Sequence, residues 1–171
     1  MKKPIALLLC LVMCLAALPA TAESVVEMDT LTMNDGFTFA VPANWVYRNI
    51  SDQERQQDHL FLVAFGTEED LMLICTMEPV QTGVTLAARR DQMLSQTGFC
   101  QVEIILNEKG AEVLLFRHED GMLGGYEFLL NDNTLITFLY GCISDGRPLS
   151  DNPFSRNVLD QGANSLCFLE K

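Results

Sequence analysis

The chain has 171 residues, with 11 Lys or Arg against 23 Asp or Glu, and a formal net charge of −12 at pH 7. Proteins that bind nucleic acids or anionic membrane surfaces do so through clustered Lys and Arg, so this balance argues against both kinds of partner. A basic protein or a divalent cation is compatible with the charge, and so is acidity that serves only solubility.

The first 22 residues have the pattern of a secretory signal peptide. Lys2 and Lys3 precede an apolar run over residues 5–18, and small residues lead to Ala22, after which we expect cleavage. The alternative, an uncleaved membrane anchor, needs about 20 apolar residues, which is more than this run provides. We therefore expect a secreted or otherwise extracytoplasmic protein of one domain, residues 23–171, with no stable membrane span after cleavage.

A β-hairpin is predicted over residues 26–33 and 36–41, joined at an Asn-Asp-Gly turn. In its second strand large apolar residues alternate with small ones, which predicts one buried face: Phe37, Phe39 and Val41. Pro42 removes a backbone donor and ends the strand. Trp45, the only tryptophan, is either a core residue or an exposed aromatic, and with Tyr47 it forms a possible partner-binding site.

Residues 51–54 read Ser-Asp-Gln-Glu and can cap a short helical turn. Residues 60–65 and 71–77 are continuous apolar runs, which are typical of strands covered on both faces. The first longer helix is predicted over residues 85–97, with Thr85 as N-cap.

That helix is predicted to end with Gly98 at the C′ position, where a left-handed conformation is favoured. Arg89 and Arg90 fall in its middle. We expect both arginines on a solvated face, with the aliphatic stem of Arg90 over apolar surface.

A four-stranded antiparallel meander follows, with strands over residues 101–106, 113–118, 125–130 and 135–140. Its first strand alternates, which predicts one apolar face: Val102, Ile104 and Leu106. Its last strand is apolar on both faces and is therefore expected away from the sheet edge.

Asn152 and Pro153 open a final helix as N-cap and first helical residue. Its predicted apolar stripe consists of Phe154, Val158 and Leu166. Gly162 is expected to weaken the middle of this helix by about 1 kcal/mol relative to alanine.

The order of these elements predicts an α+β fold. We expect an antiparallel sheet of about six to eight strands, made of the hairpin, the two apolar strands and the meander, covered by two main helices.

A resemblance to a known family rests first on the aromatic strand and the turn after it: Phe37, Phe39, Val41, Pro42 and Trp45. It rests second on residues 164–168, Asn-Ser-Leu-Cys-Phe, at the end of the last helix. Both segments resemble the PsbP-like family, a fold shared by a photosystem accessory protein and a Ran-binding nuclear import factor. The resemblance implies a sheet covered by helices and a non-catalytic role in larger assemblies, and it implies no functional residue.

Four cysteines follow the signal peptide: Cys75, Cys100, Cys142 and Cys167. An exported protein with an even number of cysteines favours disulfides, and four cysteines allow three connectivities that the sequence does not separate. Burial as free thiols is the alternative for those in apolar strands. We expect at most one disulfide to contribute to stability.

His118, Glu119 and Asp120 form the densest cluster of potential acids, bases or metal ligands. A turn alone explains the cluster, because neighbouring strand residues point to opposite faces and would not converge on a metal. No nucleophile motif accompanies this histidine or His59, the only other one.

Two functions therefore remain. The first is an exported non-catalytic binding or accessory domain, whose partner is an unknown protein or a component of the cell envelope. The second is a small secreted hydrolase or metal-dependent protein that uses His118 and nearby carboxylates. No cofactor is indicated by any motif in the chain.

Overall fold

A computed structural model describes residues 26–66, 70–143, 149 and 153–169; for residues 153–155 it describes the backbone only. The predicted signal peptide and the predicted N-cap Asn152 lie outside the described residues, and so does the side chain of Phe154. No helix in the described part of the chain is long and apolar enough to cross a membrane.

The described elements are, in chain order, β1 (Met28–Met33), β2 (Phe37–Pro42), β3 (Val46–Tyr47), α1 (Asp52–Gln57), β4 (Leu60–Gly66), β5 (Leu71–Pro79), α2 (Leu86–Leu94), β6 (Phe99–Leu106), β7 (Glu112–His118), β8 (Leu123–Asn131), β9 (Thr134–Cys142), α3 (Pro153–Ser165) and β10 (Cys167–Phe168).

The strands form two antiparallel sheets. The smaller sheet has the order β1-β2-β10, and the larger has the order β3-β4-β5-β9-β8-β7-β6. The α+β class, the meander and the position of β9 away from the edge are confirmed. The larger sheet has seven strands, but the first hairpin lies outside it, because β2 pairs with β1 and β10 and turns its apolar face toward the larger sheet.

Aromatic rings join the two sheets. Phe37 and Phe39 are completely buried, which confirms the alternation predicted for β2. The ring of Phe37 meets Phe128 at a centroid distance of 5.3 Å, and that of Phe39 meets Phe138 at 4.7 Å. Both contacts are edge-to-face, an arrangement that contributes beyond the area buried. The two sheets therefore share one aromatic core.

The two continuous apolar strands differ in burial: β4 buries Val63 and Ala64 on opposite faces, whereas β5 is fully buried on one face only. In β5, Leu71, Leu73 and Cys75 are buried, while Met72 and Ile74 between them are half-buried. The second face of β5 is covered only in part, because α2 packs over the other half of the sheet, against β6 to β8.

Helix α2 begins as predicted and ends earlier. The Thr85 Oγ1 accepts a hydrogen bond of 3.1 Å from the Ala88 amide, and the helix stops at Leu94 with Ser95 as C-cap. Gly98 has a left-handed φ of 104°, but it lies in the turn before β6 rather than at the C′ position.

Arg89 lies against the sheet, so its predicted solvated position is wrong. Its Nη2 and Nε lie 2.8 Å and 3.1 Å from the two carboxylate oxygens of Glu127, which is only 3% exposed in the middle of β8. Thr137 on β9 donates to the same carboxylate at 3.3 Å. These contacts satisfy a buried charge that would otherwise destabilise the fold.

Helix α3 packs closely on two buried tyrosines. Val158 and Leu166 are buried, as the predicted stripe requires. A Cβ at Gly162 would lie 2.8 Å from the Tyr140 hydroxyl oxygen and 3.1 Å from that of Tyr126. Gly162 is therefore the residue that lets this helix approach the sheet, besides being a weak helix former.

Asn107 ties the hairpin between β6 and β7 to the end of α3. This residue lies between two predicted strands, yet it is buried. Its Nδ2 donates to the carbonyls of Ala163 and Leu166, both at 2.9 Å. Its Oδ1 accepts from the amides of Lys109 at 3.0 Å and Ala111 at 2.8 Å.

Strand β6 departs from its predicted face at its end. Val102 and Ile104 pack beneath α2, but Leu106 is 69% exposed and lies outside that cluster. The strand is also longer than predicted and carries an irregularity between Phe99 and Gln101.

Replacing Phe39 with alanine should lower the free energy of unfolding by about 3–5 kcal/mol, because the change leaves a cavity between the two sheets. Leu106→Ala is the matched control and should change stability by less than about 0.5 kcal/mol. Chemical denaturation measures both variants. Equal effects would show that the aromatic contact is not part of the folded core.

Asn107→Ala should lower the free energy of unfolding by roughly 2–4 kcal/mol, because it leaves two carbonyls and two amides without their hydrogen-bond partner. Asn133→Ala, in an exposed turn, serves as control. Thermal unfolding followed by circular dichroism compares the two. A loss of stability no larger than that of the control would show that the hydrogen bonds of Asn107 do not stabilise the fold.

Candidate functional site

The predicted polar cluster lies at the turn between β7 and β8. Asp120 Oδ1 is 2.9 Å from His118 Nδ1 and accepts a hydrogen bond of 2.8 Å from the Met122 amide. The Met122 amide, followed by His118, lowers the pKa of Asp120. The carboxylate is thus engaged within its own turn.

Both nitrogens of His118 face the protein. Nδ1 faces Asp120, whereas a Cβ at Gly98 would overlap Nε2. The ring also meets Phe99 edge-to-face at 5.7 Å. A general base must reach the proton that it removes, so this orientation is poorly suited to catalysis.

A cleft of about 350 Å³ opens beside this turn. Its lining includes two arginines, Arg117 from β7 and Arg156 from α3, together with Glu119. Three leucines supply apolar lining: Leu123, Leu149 and Leu159. No motif indicated this cleft, because its lining comes from three separate stretches of the chain.

Cys100 and His118 both line the cleft, but the described contacts do not join them. The Cys100 thiol lies 3.8 Å from the carbonyl oxygen of Arg117. A nucleophile needs a base within hydrogen-bond reach, and the described contacts of this cleft include no such pair.

Metal ligands are not assembled in the described part of the chain. No three His, Cys, Asp or Glu side chains converge there. The turn brings His118 and Asp120 together, while the Glu119 amide donates to the Gly98 carbonyl at 2.6 Å and its side chain is exposed.

The cysteines occupy different environments. Cys100 is exposed and Cys167 is half-buried, whereas Cys75 is fully buried, which raises the pKa of its thiol. Cys142 lies half-buried at the end of β9, where burial raises its pKa as well. Disulfide pairing of these cysteines remains a prediction.

The two residues of the predicted partner-binding site are separated. Trp45 is only 4% exposed and meets Tyr140 at 6.4 Å, so it is a core residue. Tyr47 is 45% exposed and its neighbour Val46 is 63% exposed. The surface therefore presents Val46 and Tyr47, which we call the β3 edge.

The β3 edge is the outer border of the larger sheet. Val46 and Tyr47 pair with β4, and the amide of Arg48 donates to Val63 at 2.9 Å. Because successive amides alternate in an antiparallel ladder, the Tyr47 amide turns to the open side. Burial, followed by the negative charge of Asp29, raises the pKa of the Tyr47 hydroxyl.

A capping box holds the chain directly after this edge. Ser51 and Glu54 cap α1 reciprocally, as predicted, and Arg48 Nη2 lies 2.8 Å from Glu54 Oε1. The Ser51 amide, then Arg48 and the Ser51 hydroxyl, lower the pKa of Glu54 from 4.5 to about 2.

Comparison with known proteins identifies the fold. The sequence matches no protein-family model and no curated protein. The solution structure of cyanobacterial PsbP (CyanoP) from Synechocystis sp. PCC 6803 is similar to this chain at a TM-score of 0.54, with 17% sequence identity, over 84% of this chain and 94% of that one. This likeness confirms the PsbP-like fold.

A second similar structure is LpqN of Mycobacterium tuberculosis, described as involved in cell envelope biogenesis. Its TM-score is 0.44 at 10% identity, over 86% of this chain and 94% of that chain.

The Glu54 carboxylate should titrate near pH 2 in an NMR pH titration, well below its ordinary value of 4.5. A lowered pKa means that Glu54 stabilises the fold above pH 4.5 and loses this contribution as the pH falls toward 2. Arg48→Gln and Ser51→Ala should each move the midpoint upward. A wild-type midpoint at 4.5 would contradict the capping geometry.

Proposed function

We propose that this chain is an exported, non-catalytic accessory domain that binds a protein partner through the β3 edge. One observation carries the proposal: two exposed apolar side chains, Val46 and Tyr47, lie on the open border of the larger sheet.

An open sheet edge can accept a further strand from another chain. The backbone then supplies affinity and alternate side chains supply specificity. Tyrosine is common in such contacts, because its ring gives a large contact area and its hydroxyl tolerates water.

Charge favours a basic partner. The whole chain has a formal charge of −12, and Asp29 lies close enough to Tyr47 to raise the pKa of its hydroxyl. Opposite charge on a partner speeds association and favours that partner over proteins of like charge. The best match is therefore an extended segment with Lys or Arg, carried by a secreted or envelope protein.

Export and the accessory role have separate support. The first 22 residues have the pattern of a cleaved signal. The resemblance to the PsbP-like family implies a non-catalytic role. The position of His118, with its nitrogens toward Asp120 and Gly98, argues against the hydrolase alternative.

Photo-crosslinking in the producing organism tests the binding edge. The full chain is expressed with Tyr47→p-benzoylphenylalanine or, as matched control, Leu106→p-benzoylphenylalanine at the opposite edge of the sheet. We expect a discrete crosslinked protein from position 47 only, and its loss when Val46→Lys is added, because a cation then faces the basic partner.

Two results would overturn this proposal. One is an identical crosslinking pattern from both positions, which would indicate non-specific contact. The other is the absence of any discrete product from position 47.

Export is measured in the same cells by fractionation and by mass spectrometry of the amino terminus. An intact protein that retains residues 1–22 inside the cell would contradict it.

A further inference from the structure

We propose that the cleft beside α3 binds a small carboxylate with an apolar tail. The carboxylate would be held by Arg117 and Arg156, and the tail would lie on the leucine lining. This assignment concerns a different surface from the β3 edge and does not rest on the proposed function.

The lining has the composition of a ligand pocket. Its volume of about 350 Å³ lies at the small end of the range for small-molecule sites, which are mostly apolar with a few polar groups. The Leu149 amide donates a hydrogen bond to the Gly121 carbonyl, which fixes the position of this leucine in the lining.

Arg117 has donors to offer a ligand. It forms an ion pair with Asp160, in which Nη2 lies 3.8 Å from Oδ1. A charge-assisted hydrogen bond is about 2.7–2.9 Å long, so Asp160 attracts the guanidinium without satisfying it. Burial raises the pKa of Asp160 more than Arg117 and Arg156 lower it, which agrees with this weak engagement.

The charges around the cleft select a singly charged ligand. A guanidinium presents a planar pair of donors that matches a carboxylate. Glu119 in the lining and the net charge of −12 oppose a multiply charged anion such as a phosphate dianion. The leucines exclude a ligand that is polar throughout, because it would lose water without gaining hydrogen bonds.

Gly124 contributes a part of the lining that has no side chain. A Cβ at Gly124 would lie 3.5 Å from the side chains of both Leu149 and Leu159, in ordinary contact with each. Two sources supply a carboxylate with an apolar tail. One is a free aliphatic acid, and the other is the carboxyl terminus of a peptide whose last residue is apolar.

NMR titration of the protein at pH 7 tests the site with hexanoate and with the peptide Gly-Gly-Leu, each beside its neutral amide. We expect saturable shifts of the Leu123, Gly124 and Leu159 amides with at least one carboxylate. The matching amide should bind at least about tenfold more weakly, because the charge-assisted hydrogen bonds are lost.

Arg117→Gln and Arg156→Gln should each weaken carboxylate binding about tenfold. Arg48→Gln removes the same charge at the opposite edge of the sheet and should leave binding unchanged. Binding of hexanoate alone identifies a free acid as the natural class, and binding of the peptide alone identifies a carboxyl terminus.

The assignment is overturned if neither carboxylate gives a saturable shift, or if the amides bind as tightly as the acids. The comparison of acid with amide needs no variant, so it decides the matter even if Arg117→Gln does not fold. Crosslinking at Tyr47 is unaffected by any of these results, so the two proposals fail separately.

Discussion

Edge-to-face contact between the rings of β2 and those of the larger sheet holds the two sheets together. Phe37 and Phe39 meet Phe128 and Phe138, and each of these rings is completely buried. The smaller sheet thereby covers one part of this face, and α3 covers another above Tyr126 and Tyr140. The cleft with Arg117 and Arg156 lies between α3 and the turn that joins β7 to β8.

The opposite face of the larger sheet is built differently. There α2 contributes Leu86 and Met93, but it also inserts Arg89 toward Glu127. An ion pair of this kind is weak evidence for stability, since desolvation opposes the attraction. It does have directional geometry, because both carboxylate oxygens are engaged. We infer that it sets the position of α2 on a face whose apolar contacts alone are few.

Sequence periodicity predicts the longer strands and both described N-caps, because these features depend on neighbours within a few residues, whereas the two-residue strands β3 and β10 carry no such pattern. The hairpin at Phe37, the meander and the caps at Ser51 and Thr85 are local in this sense. Arg89 was misplaced because its partner lies 38 residues further along the chain. Asn107 was missed because its acceptors lie 56 and 59 residues away. The lining of the cleft is likewise spread along the chain, and the close approach of Gly162 to Tyr126 and Tyr140 depends on strands distant in sequence.

The first hairpin is completed by the last residues of the described chain. Strand β10 pairs with β2, and the Ser165 hydroxyl accepts a hydrogen bond of 2.7 Å from the Ala40 amide, 125 positions earlier in sequence. Contacts of such separation form slowly, since a long loop must close before they contribute. Strand β2 therefore lacks its second neighbour until the carboxyl-terminal segment has been made. Until then one edge of β2 keeps its backbone amides and carbonyls unpaired, and such an edge can pair with another chain.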